Sequence, residues 1–207
     1  MEKRKTPITI EFTGLPNSGK TTLIHSLDKT FSKDGFKVKI VREDSETVPK
    51  EIPKKTWERN AYITLGQLKS LIHLSFWDSD LIFIDRGFYD AIFWANFLNS
   101  QGICSKEESN FMLNVLDGFN KTFDISPDIL IVLDSSIEES LKRRNNQTGA
   151  GTPLLSKNDF LTAYKTELLK FYTSVNTPKK FLDTTNLSVE EVEKLVHKYI
   201  LDFSKKS

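Results

Sequence analysis

Five apolar runs punctuate the chain: Ile8-Thr9-Ile10-Glu11-Phe12, Phe36-Lys37-Val38-Lys39-Ile40-Val41, Leu81-Ile82-Phe83-Ile84-Asp85, Ile129-Leu130-Ile131-Val132-Leu133 and Lys180-Phe181-Leu182-Asp183. The third and fourth are continuous rather than alternating, as expected of strands covered on both faces. Between the runs, apolar residues return every three or four positions, the period of a helix with one buried face. Leu23, Ile24, Leu27 and Phe31 mark a first helix, which Asp34-Gly35 closes with a C-terminal glycine. Ala61, Leu65, Leu68, Ile72 and Phe76 form one stripe of a helix over 57–76, with Gly66 as a weak point. Asn60, Thr64 and Gln67 fall on another face of that helix, which reads either as solvated surface or as a set of groups able to read a base edge. Helices over 88–98 and 106–119 follow, the second with Phe111, Val115 and Phe119 on one side. Ser135 or Ser136 is placed to cap a helix carrying Ile137, Leu141 and Arg144, with Glu139 as the acidic member of a capping box. Leu161, Tyr164, Leu168, Phe171 and Val175 give the next helix. Val189, Val192, Val196 and Ile200, behind Ser188 and Glu191, give the last.

Strands alternating with helices imply parallel pairing through right-handed crossovers, with helices on both faces of one five-stranded sheet. Residues 44–56, with Pro49 and Pro53, read as a loop, and 147–153 breaks all periodicity. No repeat or linker divides the sequence, so 1–207 is expected to be one domain, with a glycine-bearing lid at about 143–157. In such a sheet ligands bind beyond the carboxyl ends of the strands, which directs attention to the residues following each run.

The residues after the first run carry the strongest signal. Gly14-Leu15-Pro16-Asn17-Ser18-Gly19-Lys20-Thr21-Thr22 lies between strand and helix and fills every fixed place of G-x-x-x-x-G-K-[ST], the phosphate-binding loop. Its glycines let the backbone turn N–H groups inward as an anion nest, and the following helix adds its positive end. Lys20 is expected to reach the β/γ-phosphates and the Thr21 hydroxyl to bind Mg²⁺. The ligand class is therefore a nucleoside triphosphate with Mg²⁺, in a single-domain P-loop NTPase fold. A GTPase should add N-K-x-D after a later strand. Asn120-Lys121-Thr122-Phe123-Asp124 and Lys157-Asn158-Asp159 have the wrong spacing or order. After the third strand, Asp85 is followed by Arg86 rather than the Glu of a motor ATPase, and a guanidinium there can fork onto an acceptor at the point of phosphoryl transfer. Arg42-Glu43 beyond the second strand adds a cation and a carboxylate near the second substrate.

Composition changes the picture mainly by exclusion. Lys plus Arg number 29 against 28 Asp plus Glu, a formal charge of +1, so no chain-wide field recruits nucleic acid or a membrane. Cys104 is alone, which excludes an internal disulfide. His25, His73 and His197 lie on separate helices without ligand spacing, so zinc and His-based nucleophilic chemistry are unsupported. Residues 1–5 are charged and lead into a strand rather than an apolar signal core, and no run approaches the ~20 apolar residues of a membrane span. The expectation is a soluble cytoplasmic protein. Phe88, Phe93, Trp94 and Phe97 read as core or as a dimer face, which leaves a homodimer open.

The chain resembles the thymidylate kinase and deoxynucleoside kinase group of P-loop kinases. The likeness rests on the loop at 14–21, on Arg42-Glu43 and on Asp85-Arg86-Gly87. It continues through Leu133-Asp134, the helix ending in Arg143-Arg144, residues 160–172, Leu182-Asp183 and Glu190-Glu191-Val192. It implies an ATP-dependent kinase acting on a nucleoside, a nucleoside monophosphate or a different small alcohol. In it, Asp85 would sit near Mg²⁺ and acceptor, Arg42 and Arg86 on the acceptor, and Glu43 as a base. Arg143 or Arg144 would reach the donor phosphates from the lid, with 184–186, including Thr185 and Asn186, near the adenine. Asp44, Gly87 and Phe88 depart from the family's residues, and Trp57, Asn60 and Gln67 are the side chains left to bind the acceptor. The rival from another class is a nucleotide-binding switch that acts through a protein partner.

Overall fold

A computed structural model describes residues 7–43, 47–53, 56–145 and 158–205. Five strands form one sheet: β1 (Ile8–Gly14), β2 (Val38–Val41), β3 (Leu81–Asp85), β4 (Ile129–Asp134) and β5 (Lys179–Asp183). Their order across the sheet is β2-β3-β1-β4-β5, and every pair is parallel. Among the described residues seven α-helices accompany them: α1 (Lys20–Lys33), α2 (Trp57–Leu71), α3 (Phe88–Ser100), α4 (Lys106–Phe123), α5 (Ile137–Asn145), α6 (Asn158–Ser174) and α7 (Val189–Ser204). The α/β architecture expected from the sequence is the one observed.

Strand alternation divides the side chains between two layers. Ile10 and Phe12 of β1, Leu81 and Phe83 of β3, and Ile129, Ile131 and Leu133 of β4 pack against α1 and α7. On the opposite face, Ile82 and Ile84 meet α2, α3 and α4, while Leu130 and Val132 meet α3 and α6. On that second face β1 carries Glu11 and Thr13, both without solvent exposure, so the middle of the sheet holds a buried carboxyl between apolar neighbours.

The helix ends show where local chemistry decides. Ser188 caps α7 by accepting from Glu191 N at 3.2 Å, while Glu191 Oε2 accepts from Ser188 N at 2.8 Å, the expected capping box. The box expected on α5 forms only half. Ser136 Oγ accepts from Glu139 N, but the Glu139 carboxylate turns to Arg143, and Ser136 N donates to Thr185 Oγ1 instead. At the end of α1, Gly35 takes φ 89° and Phe36 N reaches back to Phe31 O, as the Asp34-Gly35 signal requires.

Two helical faces depart from expectation. The stripe assigned to α2 included Leu65 and Phe76, yet these are 49 % and 69 % exposed, and the helix stops at Leu71 before a 3₁₀ turn at Leu74–Phe76. The buried residues are Thr64, Gln67, Leu68 and Leu71. The helix is rotated because its inward face meets the polar end of β3, where Gln67 Nε2 donates to Arg86 O at 2.6 Å. On α4, Phe111 is exposed while Met112 and Leu116 are buried, and Ser109 Oγ donates to Ala95 O, which sets that helix's rotation against α3. Phe88, Phe93 and Phe97 are buried, the last two in an aromatic cluster with Tyr164 and Tyr172.

Candidate active site

The loop after β1 is built by backbone geometry that ordinary residues resist. Gly14 has φ 134°, Asn17 59° and Gly19 95°, and a Cβ on Gly14 would lie 1.9 Å from Leu133 O. Leu15 N donates to Leu133 O and Ser140 Oγ to Pro16 O, which hold the loop against β4 and α5. No side chain caps the N-terminus of α1, so its first-turn N–H groups are available to an anion. Ser18 is buried and Thr22 exposed. Lys20 is 7 % exposed and donates to Leu15 O at 2.9 Å and Gly14 O at 3.3 Å. Burial, then the Arg86 charge, lower its pKa to about 8 against the pull of Asp85, Asp90 and Glu43.

Thr21 Oγ1 donates to Asp85 Oδ2 at 2.7 Å. Asp85 is buried, and its Oδ1 has no hydrogen-bond partner among the described residues. A buried, orphaned carboxylate oxygen beside a hydroxyl at the mouth of a phosphate loop fits Mg²⁺, which takes one or two protein oxygens and draws the rest of its shell from water and phosphate. Thr21 and Asp85 are the residues that would hold it.

Beyond Asp85 the chain makes a strained turn, since Arg86 is a non-glycine residue at φ 59°. Its backbone is held by Arg86 N donating to Phe12 O and by the Gln67 bond. Its guanidinium lies between two carboxylates: Nε to Glu43 Oε2 at 3.2 Å, and Nη1 to Asp90 Oδ1 and Oδ2 at 3.1 and 3.2 Å. The Glu43 carboxyl is raised above its ordinary value by burial, with Arg86 pulling it back. Asp90 is 3 % exposed and also accepts from Thr13 Oγ1 at 2.8 Å, and that hydroxyl lies 2.8 Å from Tyr172 Oη.

Glu11, Thr13 and Asp90 were absent from the sequence-based site. Two signals pointed to them: a charged residue at the centre of an apolar strand, and a carboxylate four residues after Arg86 on the same helical turn. Glu11 accepts from Tyr89 N at 3.1 Å and Asp90 N at 2.8 Å. Burial, then the Asp90 charge, push the Glu11 carboxyl up to about 8 against those N–H groups. Between its ordinary 4.5 and that value, the folded protein holds a proton that the unfolded chain has lost. The stability Glu11 contributes is therefore complete below pH 4.5 and fades as the pH rises to about 8. Urea unfolding of the wild type is expected to lose on the order of 3 kcal/mol from this source between those limits. Glu11→Gln is expected to lack that part of the slope, and identical slopes in the two proteins would exclude it.

The other expected site residues divide. Arg42 is exposed beyond β2 and pairs with no described residue, because alternation along the strand turns only Glu43 inward. Trp57 and Asn60 lie half-buried on the first turns of α2, and Asn60 Nδ2 is buried without a hydrogen-bond partner among the described residues. Gln67 spends its amide on Arg86 O rather than facing outward. Arg143 is fixed: it donates to Glu139 Oε1 at 3.0 Å, Thr184 Oγ1 at 3.0 Å and Thr184 O at 2.7 Å. Thr184 Oγ1 lies 3.2 Å from Ser18 O, so Arg143 is linked to the phosphate loop through that threonine. Arg144 is half-buried on the same helix. Thr185 bridges Ser136 N and the Asp183 carboxylate, and Asn186 is exposed. The expected lid lies outside the described residues from 146 to 157. Among the described residues no helix is long and apolar enough to cross a membrane, and no three His, Cys, Asp or Glu side chains group as a metal cluster.

A family model described as chromatin associated protein KTI12 matches residues 8–89, from β1 into the start of α3. No curated protein sequence matches the chain. Among solved structures, deoxyadenosine kinase from M. mycoides with bound dCTP is similar at TM-score 0.76 and 18 % identity, over 94 % of this chain and 100 % of that one. The same kinase with its products dCMP and a flexible dCDP gives 0.75 and 19 % over 94 % and 100 %, and with dATP 0.72 and 17 % over 93 % and 99 %. The chain has the P-loop kinase fold.

Proposed function

We propose that the protein is an ATP- and Mg²⁺-dependent phosphotransferase that moves the γ-phosphate to a small hydroxyl-bearing acceptor, a nucleoside above all. The observation that carries this reading is the contact of Thr21 with Asp85 beside Lys20, with the Glu43–Arg86–Asp90 cluster next to it. The loop N–H groups and Lys20 hold the donor phosphates, and Thr21 and Asp85 hold the cation. Bound Mg²⁺ would neutralise charge on the phosphate oxygens. Glu43, raised by burial and poised at the acceptor end, is suited to take the proton of the attacking hydroxyl. Arg86, gripped on two sides, presents fixed positive charge at the transfer point rather than a mobile arm. With Asp85 given to the cation, the Arg86 guanidinium is already paired with both Glu43 and Asp90, which favours an uncharged alcohol over a nucleoside monophosphate that would need a free cation for its own phosphate. The likeness to deoxyadenosine kinase supports the same choice.

Incubation with ATP, Mg²⁺ and a panel of deoxynucleosides, ribonucleosides and their monophosphates tests the reading. ADP release that depends on a nucleoside and is weak with its monophosphate is expected. A second reading, a nucleotide-binding regulatory module acting through a protein partner, draws on the match of residues 8–89 to chromatin associated protein KTI12. Tight ATP binding with no acceptor dependence would favour that module. Turnover only with alcohols outside the panel would assign a non-nucleotide acceptor.

A further inference from the structure

We infer that Glu11 is a positioning residue for the transfer site: from the middle of β1 it clamps the first turn of α3 and thereby fixes Asp90 and, through Asp90, the Arg86 guanidinium. The inference rests on the phosphotransferase reading for its kinetic part and on geometry for the rest. A carboxyl on a central strand, without solvent exposure and between Ile10 and Phe12, is costly where an aliphatic residue would satisfy the packing. Its two oxygens face the backbone N–H groups of Gly87, Tyr89 and Asp90. The residue preceding α3, Gly87, offers no side-chain cap, and Glu11 accepts from Tyr89 N and Asp90 N, the orphan donors of that turn.

Gly87 carries an independent sign of the same contact. A Cβ there would lie 2.8 Å from Glu11 Oε2 and 2.9 Å from Ile84 Cγ2, so the close approach of β1 to this turn is built around the carboxyl. The clamped turn starts directly after Arg86. Asp90 closes the loop by taking Nη1 of Arg86 on both oxygens, while Thr13, two residues beyond Glu11 on the same face of β1, holds Asp90 Oδ1. Arg86 is thus fixed at its backbone by Phe12 and Gln67, and at its tip by a carboxylate whose helix is anchored to β1. Among the described residues, Glu11 makes no hydrogen bond to Arg86 or to the phosphate loop.

Glu11→Gln keeps the size of the side chain but turns one acceptor into a donor facing an N–H. It is expected to lower kcat about 10- to 100-fold while KM for ATP changes less than about twofold, the effect of a small misplacement at a reacting centre. In ¹⁵N NMR of the folded protein the Arg86 Nε–H signal is expected to shift or broaden. Glu11→Asp, which keeps the carboxyl group but falls a methylene short, is read in the same way and guards against a glutamine variant that fails to fold. A folded variant with the Arg86 signal and kcat of the wild type overturns the inference. So does one in which kcat and ATP affinity fall together with an unmoved Arg86 signal, the mark of general destabilisation. If the wild type transfers phosphate to no acceptor, the kinase reading fails by itself, and the Arg86 signal alone decides the role of Glu11.

Discussion

Arg86→Ala is expected to destabilise the fold by about 3 kcal/mol, in addition to lowering transfer by about 10²- to 10³-fold. The stability loss follows from what the guanidinium leaves behind. Its side chain is 13 % exposed, and it faces the Asp90 carboxylate, 5 % exposed, and the Glu43 carboxylate, 33 % exposed. Removing it strands Asp90 in a buried site with only Thr13 as a described side-chain donor, and leaves two like charges near each other with Lys20 as the remaining nearby cation. Glu43 reaches water and moderates the cost, which is why the figure lies at the low end for a broken buried pair. Urea unfolding at neutral pH measures the stability term, and acceptor-dependent ADP release measures the other. A variant within about 1 kcal/mol of the wild type would mean that the two carboxylates are better solvated than this geometry allows.

Gly14→Ala is expected to cost at least about 4 kcal/mol and to abolish nucleotide binding, because both the backbone angle and the space forbid it. The added carbon would meet Leu133 O at 1.9 Å and Leu133 N and C at 2.7 Å, backbone atoms of the neighbouring strand that cannot move without breaking the β1–β4 ladder. Gly19→Ala is the control. It has a left-handed φ of 95° but nothing within 4 Å of the new carbon, so only the conformational cost of about 1–3 kcal/mol applies. Thermal unfolding of the two variants, with binding of a fluorescent ATP analogue, reads the contrast. Equal losses at the two positions would show that the cradle tolerates a shifted β4.

Much of this architecture is written in the sequence itself. The phosphate loop was legible because its residues are fixed by local backbone needs, and the cap at Ser188 because both partners lie within one turn. Strand tips were legible as places, but not as sets of partners. Arg42 and Glu43 are neighbours in sequence and opposite in direction, and only alternation at the end of β2 sorts one inward and the other outward. The polar face of α2 was ambiguous for a related reason. Thr64 and Gln67 are buried because the tip of β3 is polar, a fact about a partner 19 residues away. Glu11 and Asp90 were hidden most deeply. Each looks like an interruption in its own element, and becomes intelligible only once β1 and α3 are set side by side.

The hydroxyl of Thr184 ties the far end of β5 to Ser18, and Leu133 at the end of β4 supports Gly14 and Leu15. The cradle written at residues 14–21 is therefore completed by Leu133 and Thr184, which follow it at long range in the sequence. During synthesis the amino-terminal segment leaves the ribosome carrying its glycines and lysine long before the walls that shape them exist. An amino-terminal fragment that lacks β4 and β5 is therefore without the backbone partners that hold Gly14, Leu15 and Ser18 in place.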